Sequence, residues 1–381
     1  MQRAHKIRLV PTRTQEQQLR KACGVARYSW NWALAEWNKQ YQAGKRPSAL
    51  SLKKQWNTCK PEWVYEAPKD CNQQPFANLG KAFTAFFRKT ANRPGFKKKG
   101  VHDSFYVSND KFKCSGKKVR LPVIGQMRMR EVLRFDGRIL AGTVSWQAGQ
   151  WYLSVQVEVL QPPKAARASA SVVGIDAGIG CIGVASDGSE CANPKMLKKL
   201  KSKLSKAQRI LAHKLKGSSN RKKAIVKLQR IHKRAVDVRN DKIHKFTSQL
   251  AKNHSTAVIE TLDILEMKDK AQRWLRILLQ DTAMREMHRQ LEYKMSVQKA
   301  PKFYPSSKTC STCGTKKAVL ALSERAYRCE ACGLELARDL NAAINLKLMR
   351  WVTPCRPVEG IPVGNPTKQE ARTAHLCAQL V

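Results

Sequence analysis

The apolar positions of this 381-residue chain change period several times, and each change marks an element. Residues 6–10 (KIRLV) read as a short strand closed by Pro11. Within 16–41, Leu19, Cys23, Ala26, Trp30 and Leu34 then recur at helical spacing. A second helix is predicted over 74–88, where Phe76, Leu79, Phe83 and Phe86 share one side. Beyond the basic segment 96–100 (FKKKG) the period falls to two. Runs such as VRLPVIGQMRMR and WYLSVQVEV alternate apolar and polar residues between 104 and 159, with Gly116, Gly125, Gly137 and Gly149 as turns. This predicts a small barrel or wrapped sheet. Residues 161–170 (QPPKAARASA) have no period and carry paired prolines, so they read as a linker between two halves.

The second half opens with apolar strands at 171–176 (SVVGID) and 181–185 (CIGVA). Leu197, Leu200, Leu204, Leu211 and Leu215 form one helical stripe. Residues 217–220 break it, and Ile225, Leu228, Ile231, Ile243, Phe246 and Leu250 form another. Residues 256–260 (TAVIE) are a further buried-type strand ending on an acid, and 338–346 (RDLNAAINL) read as a helix that opens on Asp339. From 354 onward the chain is rich in Pro and Gly without an apolar stripe, which predicts a disordered tail.

Charge narrows the possible partners. Lys+Arg number 72 against 28 Asp+Glu, a formal charge of +44 with a pI near 10.2, and such self-repulsion calls for a polyanion. A membrane surface is the competing partner, but the sequence has no run of about 18 apolar residues and no apolar signal segment after Met1. The expectation is a soluble, cytoplasmic nucleic-acid-binding protein. Candidate contacts are Arg27, Tyr28, Asn31 and Trp32 on the first helix, where basic and aromatic groups interleave. Lys97, Lys98 and Lys99 follow it, and Lys222, Lys223, Arg230, Arg234 and Arg239 lie on the second basic helix. For any single aromatic here, core packing is an equal alternative.

Of the 12 cysteines, Cys310, Cys313, Cys329 and Cys332 form two CxxC turns separated by 15 residues (314–328). That spacing lets four thiolates share one tetrahedral Zn(II), and a complete thiolate set leaves no open position for substrate, so its direct role is folding. The other eight cysteines are assigned no catalytic role. Chemistry is expected from three carboxylates: Asp176 and Glu260 at strand ends, and Asp339 at a helix start. An acid at the tip of a buried strand is costly unless paired or metal-bound. Three together would favour Mg(II) or Mn(II), and two such ions could stabilise the attacking water and the departing 3′ oxygen in phosphodiester hydrolysis.

GIDAGIG at 174–180, VIETLDI at 258–264, YPSSKTCSTCG at 304–314, YRCEACG at 327–333 and RDLNAAINL at 338–346 resemble the split RuvC motifs and inserted zinc ribbon of the TnpB proteins. PTRTQEQQLRKACGVARYSWNWAL at 11–34, PGFKKKG at 94–100 and LEYKM at 291–295 extend the resemblance over nearly the whole chain. It implies an α/β plus β fold, an RNase H-like RuvC core preceded by a wedge β-barrel with an inserted helical recognition domain. The barrel would take 1–10 and 96–160, the helical domain 11–95 and the linker 161–170. The core would take 171–305 with a basic helical pair at 195–253, the ribbon 306–336, the third-motif helix 337–352 and the tail 353–381.

The resemblance also implies an RNA-guided DNA endonuclease acting beside a transposon-associated motif. Asp176, Glu260 and Asp339 would be its Mg(II)-binding catalytic acids, and the four cysteines its zinc ligands. A transposon-derived guide RNA and double-stranded target DNA would be its partners, with one protein copy per ribonucleoprotein, in the bacterial cytoplasm at the nucleoid. Guide-directed repression without cleavage and RNase H-like transposition are the rival functions. Ala177 replaces a Leu common in the family, and 268–288 follow the family least well.

Overall fold

The computed structural model describes residues 2–159, 171–321 and 323–349. The expected linker at 161–170 and tail at 353–381 lie outside these residues. The chain divides into two compact units. One takes in the N-terminal half together with Pro194–Asn240. The other begins at the strand that carries Asp176, continues to Asn193 and resumes at Asp241.

The first unit contains β1 (Gln2–Val10), α1 (Arg13–Gln42), α2 (Ala49–Cys59), α3 (Lys69–Phe87), β2 (Ser104–Ser108), β3 (Lys113–Ser115), β4 (Lys118–Leu121), β5 (Gly125–Met129), β6 (Arg138–Gln147) and β7 (Gln150–Glu158). α1 starts where it does because Thr12 and Gln15 form a reciprocal capping box. All five residues of its predicted stripe are buried. α2 escapes sequence reading because only Leu52 and Trp56 are buried on it, too few to set a period. β1 also extends further than expected. His5, Ile7 and Leu9 face the core while charged residues alternate with them, and its register with β7 runs from Gln2↔Glu158 to Leu9↔Trp151. The sheet is antiparallel in the order β2-β6-β7-β1-β5-β4-β3. Among the described residues β2 and β3 are its edges, which matches the wrapped-sheet alternative of the alternation reading.

β8 (Val172–Asp176), β9 (Cys181–Ala185) and β10 (Glu190–Ala192) precede α4 (Met196–Lys199), α5 (Lys201–Ala212) and α6 (Ser219–Asn253). The observed gap between α5 and α6, 213–218, opens earlier than the predicted break at 217–220 and takes in Leu215, which is 79% exposed rather than in a stripe. Up to Asn240 the helical pair belongs with the first unit instead of the core of the second half. Arg230 Nε donates to Ala148 O at 3.2 Å, at the β6–β7 hairpin turn where Ala148 and Gly149 both have positive φ.

The second unit adds β11 (Thr256–Ile259), α7 (Ile264–Lys270), α8 (Arg273–Thr282), α9 (Met284–Lys294), β12 (Ser296–Lys299), β13 (Ala326–Arg328), β14 (Glu335–Ala337) and α10 (Arg338–Leu348). Its sheet runs β10-β9-β8-β11-β12, antiparallel on the β10 side and parallel across β8, β11 and β12. Ile243, Phe246 and Leu250 from α6 pack with Met287 and Leu291 from α9 onto Val173, Ile175, Ile182, Ala257 and Ile259. α10 lies directly against β8. A Cβ placed on Gly174 would stand 1.9 Å from Ala343 O and 2.5 Å from Lys347 N, so only glycine allows this approach. At the start of the same strand, Ser171 Oγ meets His254 Nδ1 at 2.9 Å and His254 Nε2 meets Asp187 Oδ2 at 3.0 Å. This link ties the end of α6 to the β9–β10 turn.

Candidate metal-binding active site

The parallel register Ile175↔Ile259 between β8 and β11 sets the next residues, Asp176 and Glu260, side by side at the carboxyl ends of adjacent strands. Asp339 lies one helical turn before Ala343, which rests on Gly174, so α10 delivers it to the same end of β8. All three acids are half-buried. Burial first, then the charges of Glu260 and Asp339, push the Asp176 carboxyl up to about 8, while Arg338 opposes them. Mutual repulsion of this kind is what a divalent cation would relieve, although among the described residues only the four cysteines converge as a metal-ligand cluster.

The buried Ser306 hydroxyl donates to Glu260 Oε1 at 2.6 Å and fixes that carboxylate. Thr261 Oγ1 donates to Ala300 O, and Ala300 N donates to Ile259 O, holding the strand end from which Glu260 leaves. Arg338 is itself held, through Nη1 to Ala321 O at 2.9 Å.

The four cysteine Sγ atoms all lie within 4.8 Å of one another, with Cys310–Cys332 at 3.6 Å and Cys313–Cys329 at 3.5 Å. These separations approach the ~3.8 Å edge of a tetrahedron with ~2.3 Å Zn–S bonds, so the set fits zinc. The two knuckles match. Gly314 N donates to Cys310 O and Gly333 N to Cys329 O, with φ of +77° and +70° at the glycines. Hydrogen bonds with the Thr315 hydroxyl and main chain lower the Cys313 thiol, while that of Cys332 is raised, against the Leu334 main chain, by burial and the neighbouring cysteines, so the four sulfurs share charge unevenly without a metal. Asn341 and Asn345, buried on α10, join the first knuckle to the helix that carries Asp339. Their Nδ2 atoms reach Thr309 O at 2.7 and 2.6 Å, and Asn345 also reaches Ser306 O. Replacing Cys310 with Ser is expected to release bound zinc and open residues 306–337 to limited proteolysis, checked by metal analysis and peptide mapping.

The sequence-predicted nucleic-acid contacts divide. Arg27 Nη1 is paired to Asp103 at 2.9 Å. Asn31 is engaged both ways by the main chain of Lys97, donating at 3.0 Å and accepting at 2.7 Å. Lys97 Nζ sits 4.2 Å from the Trp30 ring centroid, and Trp32 packs 5.0 Å from Trp56. These four therefore clamp the 94–103 segment to α1 or fill the core. Their spacing gave no sign that their polar atoms are taken up internally. Tyr28, Lys98, Lys99, Lys222, Lys223 and Arg234 are exposed, Arg230 is exposed but anchored to Ala148, and Arg239 is half-buried. Sequence reading missed Ser306, Gly174 and the Asn341/Asn345 pair. The available signal was two asparagines at i and i+4 inside a helix, residues that stay there readily only when their amides have partners.

Residues 154–271 match a family described as "Probable transposase", residues 1–46 one described as "Helix-turn-helix domain", and residues 285–346 one described as "Cas12f1-like, TNB domain". In this chain residues 1–46 hold β1 and the 30-residue α1, a strand and one helix. The chain is 33% identical over 392 residues to "Putative RNA-guided DNA endonuclease InsQ" of Escherichia coli (strain K12), covering 96% of each. It is 32% identical over 361 residues to "Putative RNA-guided DNA endonuclease" of Streptomyces pristinaespiralis, covering 91% of this chain and 89% of that one. A solved structure, "Cryo-EM structure of CasPhi-2 (Cas12j) bound to crRNA", aligns over 92% of this chain and 98% of its own at 10% identity, with a TM-score of 0.45.

Proposed function

The chain belongs to the TnpB family, and on that premise we propose that it is a transposon-encoded, RNA-guided DNA endonuclease that hydrolyses phosphodiester bonds beside a transposon-associated motif. The observation that carries the reading is the meeting of Asp176, Glu260 and Asp339 at one end of β8, with Asp176 pushed up to about 8 by burial and by its neighbours' charges. The β10-β9-β8-β11-β12 order, antiparallel and then parallel, supports an RNase H-like RuvC core. Among the described residues no helix is long and apolar enough to cross a membrane. One copy of the chain would bind a structured guide RNA and its DNA target, which suits a charge of +44.

Asp176, Glu260 and Asp339 would hold Mg(II) or Mn(II). A cation held by these residues would supply a polarised water and offset charge on the departing oxygen. The chain's own contribution is positional. β8 and β11 fix two carboxylates by register, α10 brings the third through the Gly174 contact, and Ser306 sets the Glu260 rotamer. Ser306→Ala is expected to lower cleavage by roughly 10- to 100-fold, as loss of an outer-shell partner does. Much of that loss should return at high Mg(II), which a cation titration of the cleavage rate checks.

The test is cleavage of a plasmid with a randomised flank beside a fixed target, by protein co-expressed with its transposon end. Linear product with one enriched flank, made by wild type but not by Asp176→Ala, is expected. Guide-dependent binding without cutting by either protein would replace this reading with repression, and strand-joined products would replace it with transposition.

A further inference from the structure

Beside Glu260 the second unit opens a cleft of 310 Å³, and on its wall Phe303 is 88% exposed. Tyr304 N donates to Pro301 O at 3.2 Å, closing a turn in which Phe303 stands third with φ +68°. The third position of such a turn favours glycine, and a bulky side chain there is strained. An aromatic residue at this place thus carries backbone strain while burying almost none of its ring, so its folded-state contacts do not account for it. Three residues later Ser306 holds Glu260, which couples the turn rigidly to the candidate metal site. The cleft lining carries Lys270 and Lys302 against Glu260, Asp263 and Glu266. Lys302 Nζ lies 5.2 Å from the Phe303 ring centroid, and Lys302 and Lys270 both pair with Glu266, which lowers the negative charge a phosphate would meet.

We propose that Phe303 is a stacking platform for a nucleobase of the single DNA strand being cut, with Lys302 beside it for a flanking phosphate. The proposal rests on the endonuclease reading and adds to it a positioning residue outside the acidic triad. Stacking on an aromatic ring tolerates any base, which a guided enzyme requires because base pairing with the guide carries its sequence choice. The ring would hold the strand still while the scissile phosphate meets the acids.

The test uses the purified ribonucleoprotein and a duplex target carrying 2-aminopurine near the cut. Phe303→Gly removes the ring and relieves the positive φ, so its melting temperature is expected to equal or exceed that of wild type. Its cleavage rate at saturating target should fall roughly tenfold, in line with the loss of one base–aromatic stack, with binding of the duplex unchanged. Phe303→Trp should keep the rate. Quenching of 2-aminopurine fluorescence should occur with wild type and Phe303→Trp and be lost in Phe303→Gly. Wild-type cleavage with an equally fast Phe303→Gly overturns this inference alone. A wild type that does not cut overturns the endonuclease reading and this inference with it.

Discussion

Asp176→Asn will abolish DNA cleavage and at the same time raise the melting temperature of the metal-free protein at pH 7 to 8. Burial and the charges of Glu260 and Asp339 push the Asp176 carboxyl from 3.8 up to about 8. A carboxyl raised in the folded state binds more protons there than in the unfolded chain. Its contribution to stability is therefore full below about pH 4 and is lost as pH rises towards 8. At pH 8 the lost stabilisation is on the order of 5 kcal/mol, and asparagine, which cannot ionise, avoids it. Melting curves in chelator should fall for wild type between pH 5 and 8 and stay flatter for the variant. Added Mg(II) should stabilise wild type more as pH approaches 8, because the site must release a proton to bind, and should barely affect the variant. Loss of a carboxylate proposed as a metal ligand should lower cleavage by more than the ~100-fold that follows loss of an outer-shell partner. A variant that cuts normally, or melts lower in chelator, contradicts this account.

What the sequence revealed and what it hid follow one physical division. The acids and cysteines could be singled out because their chemistry depends on residue type and spacing, and the four cysteine sulfurs do converge. The α1 stripe from Leu19 to Leu34 was legible because a helix buried on one side must repeat its apolar positions. α2 was not, because its contact with the core rests on two residues. Alternation left a barrel or a wrapped sheet open, because it predicts strands but says nothing about whether the ladder's ends meet, and the wedge β-barrel came from the family resemblance. Arg27, Asn31 and Lys97 have intramolecular partners that stayed hidden because sequence shows a polar side chain and not its partner. Pattern likewise placed the basic helical pair in the second half, whereas side-chain packing onto the Ala148–Gly149 turn draws its first part to the other unit.

Gly174→Ala should damage the protein more than any other single methyl group added within the GID strand. The added Cβ would stand 1.9 Å from Ala343 O, a main-chain atom of a hydrogen-bonded helix that cannot rotate away. α10 must move off β8, at a cost of roughly 3 kcal/mol or more, the upper range for overpacking a dense interior. The displaced helix carries Asp339 at its start and, through Asn341 and Asn345, the first zinc knuckle, and Ser306 of the adjoining segment fixes Glu260. One methyl group should thus loosen two of the three acids at once, so cleavage should fail even at a temperature where the fold survives. Gly180→Ala, where nothing lies within 4 Å of the new atom, should leave both stability and cleavage unchanged. Thermal melts with cleavage at 20 °C for the two variants decide it. A Gly174→Ala protein that melts like wild type would show that the β8–α10 contact does not position Asp339.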